Sequence, residues 1–467
     1  MKILFSNTFY QKRVEYTSLI SVIPPLDLAY CAAVLRQRIP ETAVFILDAN
    51  VLRLSLKEQV NFIKSSGCQV IVLTSATHSI NAIKRLCQEL QNEKIIKILI
   101  GPHGSALPKE TLEYIPELDI VVYAEAEITV LEIIQTLLKN KPLSLVQGIY
   151  YRLNNSVVHT EARPILEELD SLPFPARDLL PNKSYFSPYF PGVTALQTTR
   201  GCPGRCTFCD SHLVNGRVYR ARNPNLVVDE MEECVRKFGI RYFAIIDHTF
   251  TVSRAFVEKI CAGLIKKGLG KKIHWSCNTR VDMLNDQLLL LMKRAGCIQI
   301  GIGIESGKNA ELALLQKDIT EAQIKEAIQR IKRQGIIAMG YAIIGFPQDT
   351  QKSIQETKNK IFDFNPHILQ LSFATPLPGS ELYAYCRKNN LIRSDNWDNF
   401  VFLRKSVIVN KEFAPGELSI LRKEIIKQFY FRPAKFFELL YLFTNKIHPN
   451  YLNSFKALLK IIINIEK

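Results

Sequence analysis

The chain has 467 residues, 47% of them hydrophobic, and a formal net charge of +16. This length predicts two or three domains with sizeable cores, and the composition excludes wholesale disorder. The basic residues are spread along the whole chain, so the charge indicates a solvated basic surface and does not favour a nucleic-acid partner.

No apolar run reaches the roughly 18 residues that a membrane-spanning helix requires, so no transmembrane segment is expected. The first residues, MKILFSNTFYQKR, lack the apolar core and the cleavage site of a secretory signal. The chain has 11 cysteines, and a reducing compartment would keep scattered thiols such as Cys31 unpaired. These features predict a cytoplasmic protein.

Residues 1–145 alternate strand-like and helix-like segments. Five apolar runs (MKILFSN, AVFILDAN, QVIVLTSA, KIIKILIGP and LDIVVYAE) are separated by stretches with apolar residues at helical spacing. This alternation predicts an α/β fold with a doubly wound parallel sheet. Ligands of such sheets bind at the carboxyl ends of the strands, so the segments that directly follow the runs are expected to carry function.

Residues 146–190 are predicted to link two domains. The stretch GIYYRLNNSVVHTEARP has the pattern of a β-hairpin with Asn154 and Asn155 at its turn. The following stretch, LDSLPFPARDLLP, is rich in proline and is not expected to form a regular element.

The alternation of strands and helices resumes over residues 191–395. Six strand-like runs, each followed by a helix or a loop, fall two units short of the eight that close a barrel. A partial (β/α)6 barrel is therefore predicted. Residues 396–467 are expected to form a helical C-terminal region that is rich in aromatic residues and lysine.

Three cysteines, Cys202, Cys206 and Cys209, lie within eight residues in the loop after the first strand of this barrel. Their spacing leaves two hypotheses. His212 could complete a Cys3His zinc site, but structural zinc closes all four of its positions and usually staples small modules. Three thiolates on a four-iron cluster leave one iron open to a reactant, and this interpretation is favoured inside a large α/β domain.

The stretch TTRGCPGRCTFCDSH resembles the radical S-adenosylmethionine (SAM) superfamily, in which an aromatic residue precedes the third cysteine. The resemblance implies a [4Fe-4S] cluster on the three cysteines, with SAM bound at its open iron. The stretches IIDHTF, HWSCNTRVD and IGIGIESG resemble later motifs of the same family. The SAM-binding residues that the resemblance implies are Phe208, Asp247, Ser276, Arg280 and Glu305. From the residues alone, Asp247 and Arg280 could instead form buried ion pairs at strand ends.

The N-terminal sheet resembles the cobalamin-binding domain that precedes this type of radical domain, through LTSATHS, ILIGPHGSALP and DIVVYAEAE. The cobalamin contacts that this resemblance implies are Ser75, Thr77, Gly101, Pro102, His103 and Glu125. The loop SNTFYQKR after the first strand has no histidine, so none is expected there as a ligand to cobalt. Ile100, Ala124 and Ala126 stand where glycines are usual, and each adds side-chain atoms near the expected cofactor.

The two resemblances together cover roughly residues 1–400 and imply a cobalamin-dependent radical SAM methyltransferase. Such an enzyme would use two SAM molecules to methylate an unactivated carbon of a small-molecule or lipid-like substrate, with electrons from a flavodoxin or ferredoxin. The positive charge mildly favours an anionic substrate. One alternative is radical cyclisation or rearrangement without methyl transfer, and another is a non-enzymatic cobalamin or metal sensor with a Cys3His zinc site. No residue is predicted to act as a catalytic acid or base, since the chemistry resides in the cofactors.

Overall fold

The structure, a computed structural model, describes residues 1–8, 22–154, 156–187 and 192–442. Two mostly parallel sheets, each flanked by helices, form its framework. None of the helices in these ranges is both long enough and apolar enough to cross a bilayer.

The N-terminal sheet is buried along most of its length. Its parallel strands are β1 (Lys2–Asn7), β2 (Ala43–Asp48), β3 (Val70–Thr74), β4 (Ile96–Ile100) and β5 (Ile120–Val122). Its helices are α1 (Leu26–Arg38), α2 (Leu56–Ser66), α3 (Ile80–Glu89), α4 (Pro102–Ala106), α5 (Pro108–Tyr114) and α6 (Glu127–Leu138). The order β2-β1-β3-β4-β5 confirms the predicted doubly wound sheet, in which ligands bind where the strand order reverses, here between β1 and β3.

A β-hairpin extends this sheet beyond β5. It consists of β6 (Ile149–Leu153) and β7 (Ser156–His159), and Val121 of β5 pairs with Tyr150 of β6 in antiparallel register. The sequence pattern placed this hairpin in the linker at 146–190. In the structure it joins the sheet, because the edge of β5 would otherwise leave backbone N–H and C=O groups unpaired. Asn154 adopts φ 49° at the turn, and Asn155 lies outside the described residues.

The second sheet is six-stranded and parallel, which confirms the predicted partial barrel. The strands of this part of the chain are β8 (Val193–Leu196), β9 (Thr199–Arg200), β10 (Arg220–Ala221), β11 (Tyr242–Ile245), β12 (His274–Thr279), β13 (Cys297–Glu305), β14 (Ile337–Ile344) and β15 (Ile368–Phe373). The helices are α7 (His212–Asn215), α8 (Pro224–Phe238), α9 (Arg254–Lys266), α10 (Asp286–Arg294), α11 (Asn309–Leu314), α12 (Glu321–Arg333), α13 (Gln351–Phe364) and α14 (Glu381–Lys388). The order β8-β11-β12-β13-β14-β15 leaves β8 and β15 as the edges, while β9 and β10 form a separate antiparallel ribbon.

The helices cover the barrel sheet because their apolar residues recur on one face. The buried residues of α12 are Ile324, Ala327, Ile328 and Ile331. This spacing is that of one helical face, and each fully buried isoleucine contributes roughly 1.5–3 kcal/mol. Thr320 and Gln323 begin the helix with a reciprocal capping box, so the sequence specifies both the start and the buried face of α12.

Two C-terminal helices follow, and the first covers the free edge of the barrel sheet. In α15 (Glu417–Tyr430), Arg422 Nε donates to the Leu371 carbonyl at 2.6 Å, and the Tyr430 hydroxyl lies 3.0 Å from the backbone nitrogen of Leu369. These bonds satisfy backbone groups along β15. The second helix is α16 (Pro433–Leu442), and residues 443–467 of the predicted helical region lie outside the described residues.

Candidate functional site

The three cysteines lie on the loop between β9 and β10. Gly201 begins the loop with φ 80°, and a Cβ there would lie 1.9 Å from the Val218 carbonyl oxygen, so only glycine fits. The Sγ atoms of Cys202 and Cys206 lie 3.4 and 3.9 Å from the position that a Gly204 Cβ would take. All three thiols are half-buried, so the loop presents three sulfur ligands close to one another at the carboxyl edge of the barrel.

The donor set of this loop fits an iron–sulfur cluster. Burial raises the pKa of the Cys206 and Cys209 thiols, whereas the nearby Lys317 ammonium acts to lower that of Cys206. Within the described ranges, no three His, Cys, Asp or Glu side chains converge closely enough to hold one metal ion. A polynuclear cluster does not need that convergence, because each thiolate binds a different iron.

His212, the fourth ligand of the zinc alternative, lies in the short helix α7. Burial and the nearby Arg217 charge lower the pKa of its ring.

A charged cluster lies beside Cys206 at the end of β13. Glu305 adopts φ 56°, is 6% exposed and forms an ion pair with Lys317 at 2.8 Å. Although burial opposes the charge, Glu305 and Cys206 raise the pKa of Lys317. Sequence reasoning found Glu305 but missed Lys317, which lies in an irregular segment between α11 and α12 where no motif marks it.

Arg280 follows β12 and places a second positive charge near Cys206. Its guanidinium donates two hydrogen bonds to Asp282, of 3.0 and 3.1 Å, and this pair is partly exposed, unlike the buried ion pair considered from the residues alone. Burial disfavours the charge, but Asp282 and Cys206 raise the pKa of the guanidinium. Two cations, Arg280 and Lys317, thus lie near the cysteine loop, where they would favour a carboxylate ligand such as that of an amino acid.

Asp247 follows β11 and is 1% exposed. Its carboxylate accepts hydrogen bonds from the Thr198 backbone N–H at 2.7 Å and from the hydroxyls of Thr198 and Thr199. Burial raises the pKa of this carboxyl. The ion pair considered for Asp247 is not seen among the described residues, since threonines satisfy its oxygens. The structure places Asp247 as a support of the strand that leads into the cysteine loop.

Hydroxyl and amide groups line the inner face of the barrel sheet. Ser276 and Asn278 alternate with the buried Trp275 along β12, so they lie on the face opposite the core. The Tyr242 hydroxyl donates to Ser276 Oγ at 3.0 Å, and the Tyr341 hydroxyl donates to Asn278 Oδ1 at 3.0 Å. These groups are uncharged, and the surface they form suits neutral hydrogen-bonding groups of a ligand.

Phe208, which precedes the third cysteine, faces the loop after β14. Its ring centroid lies 6.2 Å from that of Phe346, and both rings pack in a small apolar cluster with Leu315 and Ala374. An apolar wall with aromatic rings next to the cysteines is the kind of surface that a purine ring contacts.

The residues predicted to contact cobalamin follow β3, β4 and β5. At Gly101, φ is 104° and a Cβ would lie 2.8 Å from the Ser75 carbonyl oxygen, so the loop keeps bare backbone at the end of β4. Pro102 occupies the first turn of α4. The glycine is thus required by the packing of this loop against Ser75, and the loop lies at the edge where a doubly wound sheet binds its ligand.

His103 and Thr77 lie beneath Trp397 of the C-terminal region. His103 is 2% exposed, its Nδ1 lies 3.2 Å from Thr77 Oγ1, and its ring meets Trp397 edge-on with centroids 5.1 Å apart. Burial lowers the pKa of His103 to about 4, so the ring is neutral near pH 7. The C-terminal region therefore covers the predicted cobalamin residues that follow β3 and β4.

Replacing His103 by glutamine is expected to weaken the pH dependence of stability. The folded-state pKa of about 4 lies below the usual value near 6.5, so the unfolded chain binds more protons between these two pH values. Stability from the neutral ring is complete above about pH 6.5 and falls as pH drops towards 4. When the pH falls from 7 to 5, the unfolding free energy of both chains is expected to decrease. The decrease should be about 2 kcal/mol smaller in His103→Gln than in the parent chain. Urea unfolding at both pH values measures this, and identical losses in the two chains would contradict it.

The three residues that replace expected glycines differ in their effects. Ile100 is 1% exposed and Ala126 is 9% exposed, and both side chains belong to the core of the N-terminal unit. Ala124 adopts φ 63°, a left-handed conformation that costs roughly 1–2 kcal/mol for a residue with a Cβ. Only the replacement at Ala124 therefore strains the strand-end loop.

Buried ion pairs join the two units at Glu125 and Glu127. Arg200 contacts Glu127 at 2.5 Å and Glu125 at 3.1 Å, and Arg220 contacts Glu125 at 2.9 Å. The four side chains are each at most 8% exposed. Glu125, a predicted cobalamin contact, is thus engaged by arginines of the barrel unit. Sequence reasoning missed this network because its partners are 73 to 95 positions apart.

Replacing Gly303 by alanine is expected to weaken SAM binding about tenfold, or ~1.4 kcal/mol. A Cβ at Gly303 would lie 2.1 Å from Glu305 Oε1 and 2.6 Å from Lys317 Nζ, so the ion pair must move. The iron content should stay unchanged, since Gly303 is not on the cysteine loop. Equilibrium binding of SAM to iron-loaded protein measures the effect. The matched control is Gly263→Ala on α9, where the new Cβ meets only the Val228 side chain, whose nearest atom is 3.0 Å away. Equal loss in both variants would contradict a role of the Glu305–Lys317 pair in SAM binding.

Two family profiles match the chain. The Radical SAM superfamily matches residues 196–361, and the B12 binding domain matches residues 16–134. An uncharacterized methyltransferase of Pyrococcus horikoshii is 31% identical over 414 residues, which make up 88% of this chain and 88% of that protein. An anaerobic magnesium-protoporphyrin IX monomethyl ester cyclase of Rubrivivax gelatinosus is 31% identical over 370 residues, or 77% of this chain and 66% of that protein.

Two solved structures share the fold. The cobalamin-dependent SAM radical enzyme OxsB, with aqua-cobalamin and SAM bound, has a TM-score of 0.75 and 18% identity, covering 100% of this chain and 71% of OxsB. The radical SAM methyltransferase TsrM from Kitasatospora setae, with cobalamin and a [4Fe-4S] cluster bound, has a TM-score of 0.72 and 13% identity, covering 100% of this chain and 99% of TsrM. Both structures contain bound cobalamin.

Proposed function

The chain belongs to the radical SAM superfamily as a cobalamin-binding member, and from this premise we propose that it methylates an unactivated carbon of a small-molecule substrate. It is an enzyme whose cofactors are a [4Fe-4S] cluster, SAM and cobalamin. When bound, the cluster supplies the electron that cleaves SAM, and cobalamin supplies a carrier for the methyl group. The match to the radical SAM superfamily supports an enzyme and disfavours the alternative of a non-enzymatic cobalamin or metal sensor.

The observation that carries the proposal is the buried connection between the two cofactor units. Arg200 directly precedes the cysteine loop and reaches Glu125 and Glu127 at the end of β5, with contacts of 3.1 and 2.5 Å. The carboxyl edge of the N-terminal sheet is thereby fastened to the carboxyl edge of the barrel. A substrate held between these edges would meet both cofactors, which methyl transfer requires and a rearrangement does not.

We assign the residues of this chain as follows. Cys202, Cys206 and Cys209 hold the cluster. Glu305, Lys317 and Arg280 bind the amino-acid end of SAM, because they place charges of both signs beside Cys206. Phe208 contacts the adenine, Ser276 lies on the polar inner face of the barrel, and Asp247 supports the cysteine loop.

For cobalamin, Ser75, Gly101 and Pro102 provide the strand-end edge, and Thr77 and His103 lie beneath Trp397. Glu125 acts as an anchor between the units. We propose that the cobalamin unit comprises residues 1–145 together with the hairpin that completes its sheet, and that residues 191–395 form the SAM unit. The electron donor is a flavodoxin or ferredoxin.

Cyclisation without methyl transfer is the second candidate. The observation that favours it is the Rubrivivax gelatinosus cyclase, which is 31% identical to this chain. The products distinguish the candidates, because methyl transfer consumes a second SAM and releases S-adenosylhomocysteine.

The test uses the full chain, purified without oxygen and loaded with iron, sulfide and cobalamin. It is supplied with a reductant, SAM carrying a deuterated methyl group, and extracts that contain candidate substrates. Magnesium-protoporphyrin IX monomethyl ester serves as a defined probe. Methylation predicts equal amounts of 5′-deoxyadenosine and S-adenosylhomocysteine and a deuterated methyl group in the product. Substrate conversion with 5′-deoxyadenosine but without S-adenosylhomocysteine would reject methylation and support cyclisation.

A further inference from the structure

A cavity of about 390 Å³ lies in the C-terminal region, and we call it the C-terminal cavity. Its lining residues are Arg393, Ser394, Lys405, Ser406, Val407, Ile408, Asn410, Phe413, Ala414, Pro415, Gly416, Leu418 and Ser419. The side chains of Val407, Ile408, Phe413 and Leu418 are buried and give the cavity an apolar floor. Its volume is within the range of small-molecule pockets, roughly 300–1,000 Å³.

Two basic side chains, Arg393 and Lys405, stand at the rim of this cavity. Both residues are exposed, and over the described part of the chain neither has a carboxylate within ion-pair distance. An antiparallel bridge between Ile392 and Ile408 holds their two segments side by side. A guanidinium and an ammonium above an apolar floor favour a ligand that carries a carboxylate or phosphate on an apolar body.

The start of α15 strengthens this preference. Gly416 precedes the helix without a side-chain cap, and Ser419 of its first turn lines the cavity. The N–H groups of a first turn carry partial positive charge. The acidic residue of that turn, Glu417, accepts a hydrogen bond from the Ala414 N–H at 3.0 Å, and within the described residues it forms no ion pair with either rim cation.

The C-terminal cavity adjoins the candidate active site through the loop after β14. Asn410, which lines the cavity, donates from Nδ2 to the Phe346 carbonyl at 2.8 Å. In the same loop, a Cβ on Gly345 would lie 3.1 Å from a methyl carbon of Leu418. Phe346 also contacts Phe208 beside the third cysteine. A ligand in this cavity therefore lies next to the loop that borders the cysteine site.

We propose that the C-terminal cavity binds a carboxylate- or phosphate-bearing molecule with an apolar body, and that this is the non-reacting end of the substrate. The second part rests on the proposed function. The two surfaces suit different parts of such a substrate. The inner face of the barrel presents uncharged hydroxyl and amide groups to the reacting part, and the cavity rim presents two cations to the anionic end.

The test is calorimetric titration of the full chain without SAM, using octanoate, octyl phosphate and 1-octanol as probes. Comparing the two anions distinguishes carboxylate from phosphate, and the alcohol measures the apolar contribution alone. The charge variant is Arg393→Ala with Lys405→Ala, both at exposed positions. The matched control is Arg404→Ala, an exposed arginine in the same segment that does not line the cavity.

We expect at least one anion to bind, with affinity at least tenfold lower in the charge variant and within twofold of the parent in Arg404→Ala. Octanol binding should be the same in all three chains. Hydrogen exchange should show protection of residues 405–419 by the bound anion. The proposal is overturned if neither anion binds more tightly than octanol, or if Arg404→Ala weakens anion binding as much as the charge variant.

The titration does not involve SAM cleavage, so its outcome is independent of the proposed function. Anion binding without S-adenosylhomocysteine formation would leave the site standing and reject methylation. Methyl transfer with no anion binding would reject the site and leave the proposed function standing.

Discussion

Replacing any one of Cys202, Cys206 or Cys209 by alanine is expected to reduce SAM cleavage to background. In the proposed site each thiolate would hold a different iron of a four-iron cluster, so loss of one would leave the cluster without its third protein ligand. No neighbouring cysteine can take the place of the one that is removed, because no other cysteine lies on the loop between β9 and β10. Iron content, the visible absorbance of the cluster and 5′-deoxyadenosine formation under reducing conditions measure the effect.

The matched controls are Cys234→Ala and Cys261→Ala. Both cysteines are buried in the core of the barrel unit, on α8 and α9, and are at most 1% exposed. These variants should retain iron and SAM cleavage. A chain lacking all three loop cysteines that still made 5′-deoxyadenosine would reject the cluster assignment.

Replacing Arg200 by alanine is expected to destabilise the protein by about 3–5 kcal/mol, because it leaves buried carboxylates without their partner. Arg200 contacts Glu127 at 2.5 Å and Glu125 at 3.1 Å. Burial alone would raise the pKa of Glu127, but the Arg200 charge holds it below its usual value, so the carboxylate is ionised in the fold. Urea unfolding near neutral pH measures the loss, and Arg200→Lys should restore part of it.

The matched control is Arg254→Ala, which removes an exposed pair with Glu258 four residues along α9. That pair is expected to contribute at most about 1 kcal/mol. Because Arg200 is followed directly by Gly201 and Cys202, Arg200→Ala should also lower the iron content of the purified protein, whereas Arg254→Ala should not. An Arg200→Ala chain as stable and as iron-rich as the parent would contradict a positioning role for this arginine.

Much of the fold could be predicted because the relevant patterns are local. The alternation of apolar runs and helical spacing is set by backbone periodicity, and it predicted both the doubly wound sheet and the partial barrel. The cysteine spacing is equally local, since three ligands of one loop need only a short chain to meet. The predicted cofactors, a [4Fe-4S] cluster, SAM and cobalamin, follow from these local motifs and are confirmed by the family matches. The individual SAM and cobalamin contacts stay predictions.

Local patterns could not predict which strand edge the hairpin pairs with or which charged side chains form ion pairs between the two units. The hairpin Ile149–His159 has a local pattern, but its pairing with β5 depends on which strand edge is free in the folded sheet. The resemblance of DIVVYAEAE to the cobalamin-binding family implied Glu125 as a cobalamin contact, and this stays a prediction. In the structure Glu125 forms ion pairs with Arg200 and Arg220 of the other unit. A buried carboxylate requires a paired charge, and here the partners are far from it in the sequence.

The sequence by itself determined the alternation of elements, the start and buried face of helices such as α12, and the grouping of three cysteines in one loop. Each of these depends on residues within a few positions of one another. Only the tertiary structure decided that Lys317 lies beside Cys206, that Trp397 covers His103 and that Arg200 fastens the cysteine loop to the N-terminal sheet. These contacts join segments far apart in the chain, and the free energy that selects them comes from packing and charge pairing that exist only after the two sheets are assembled.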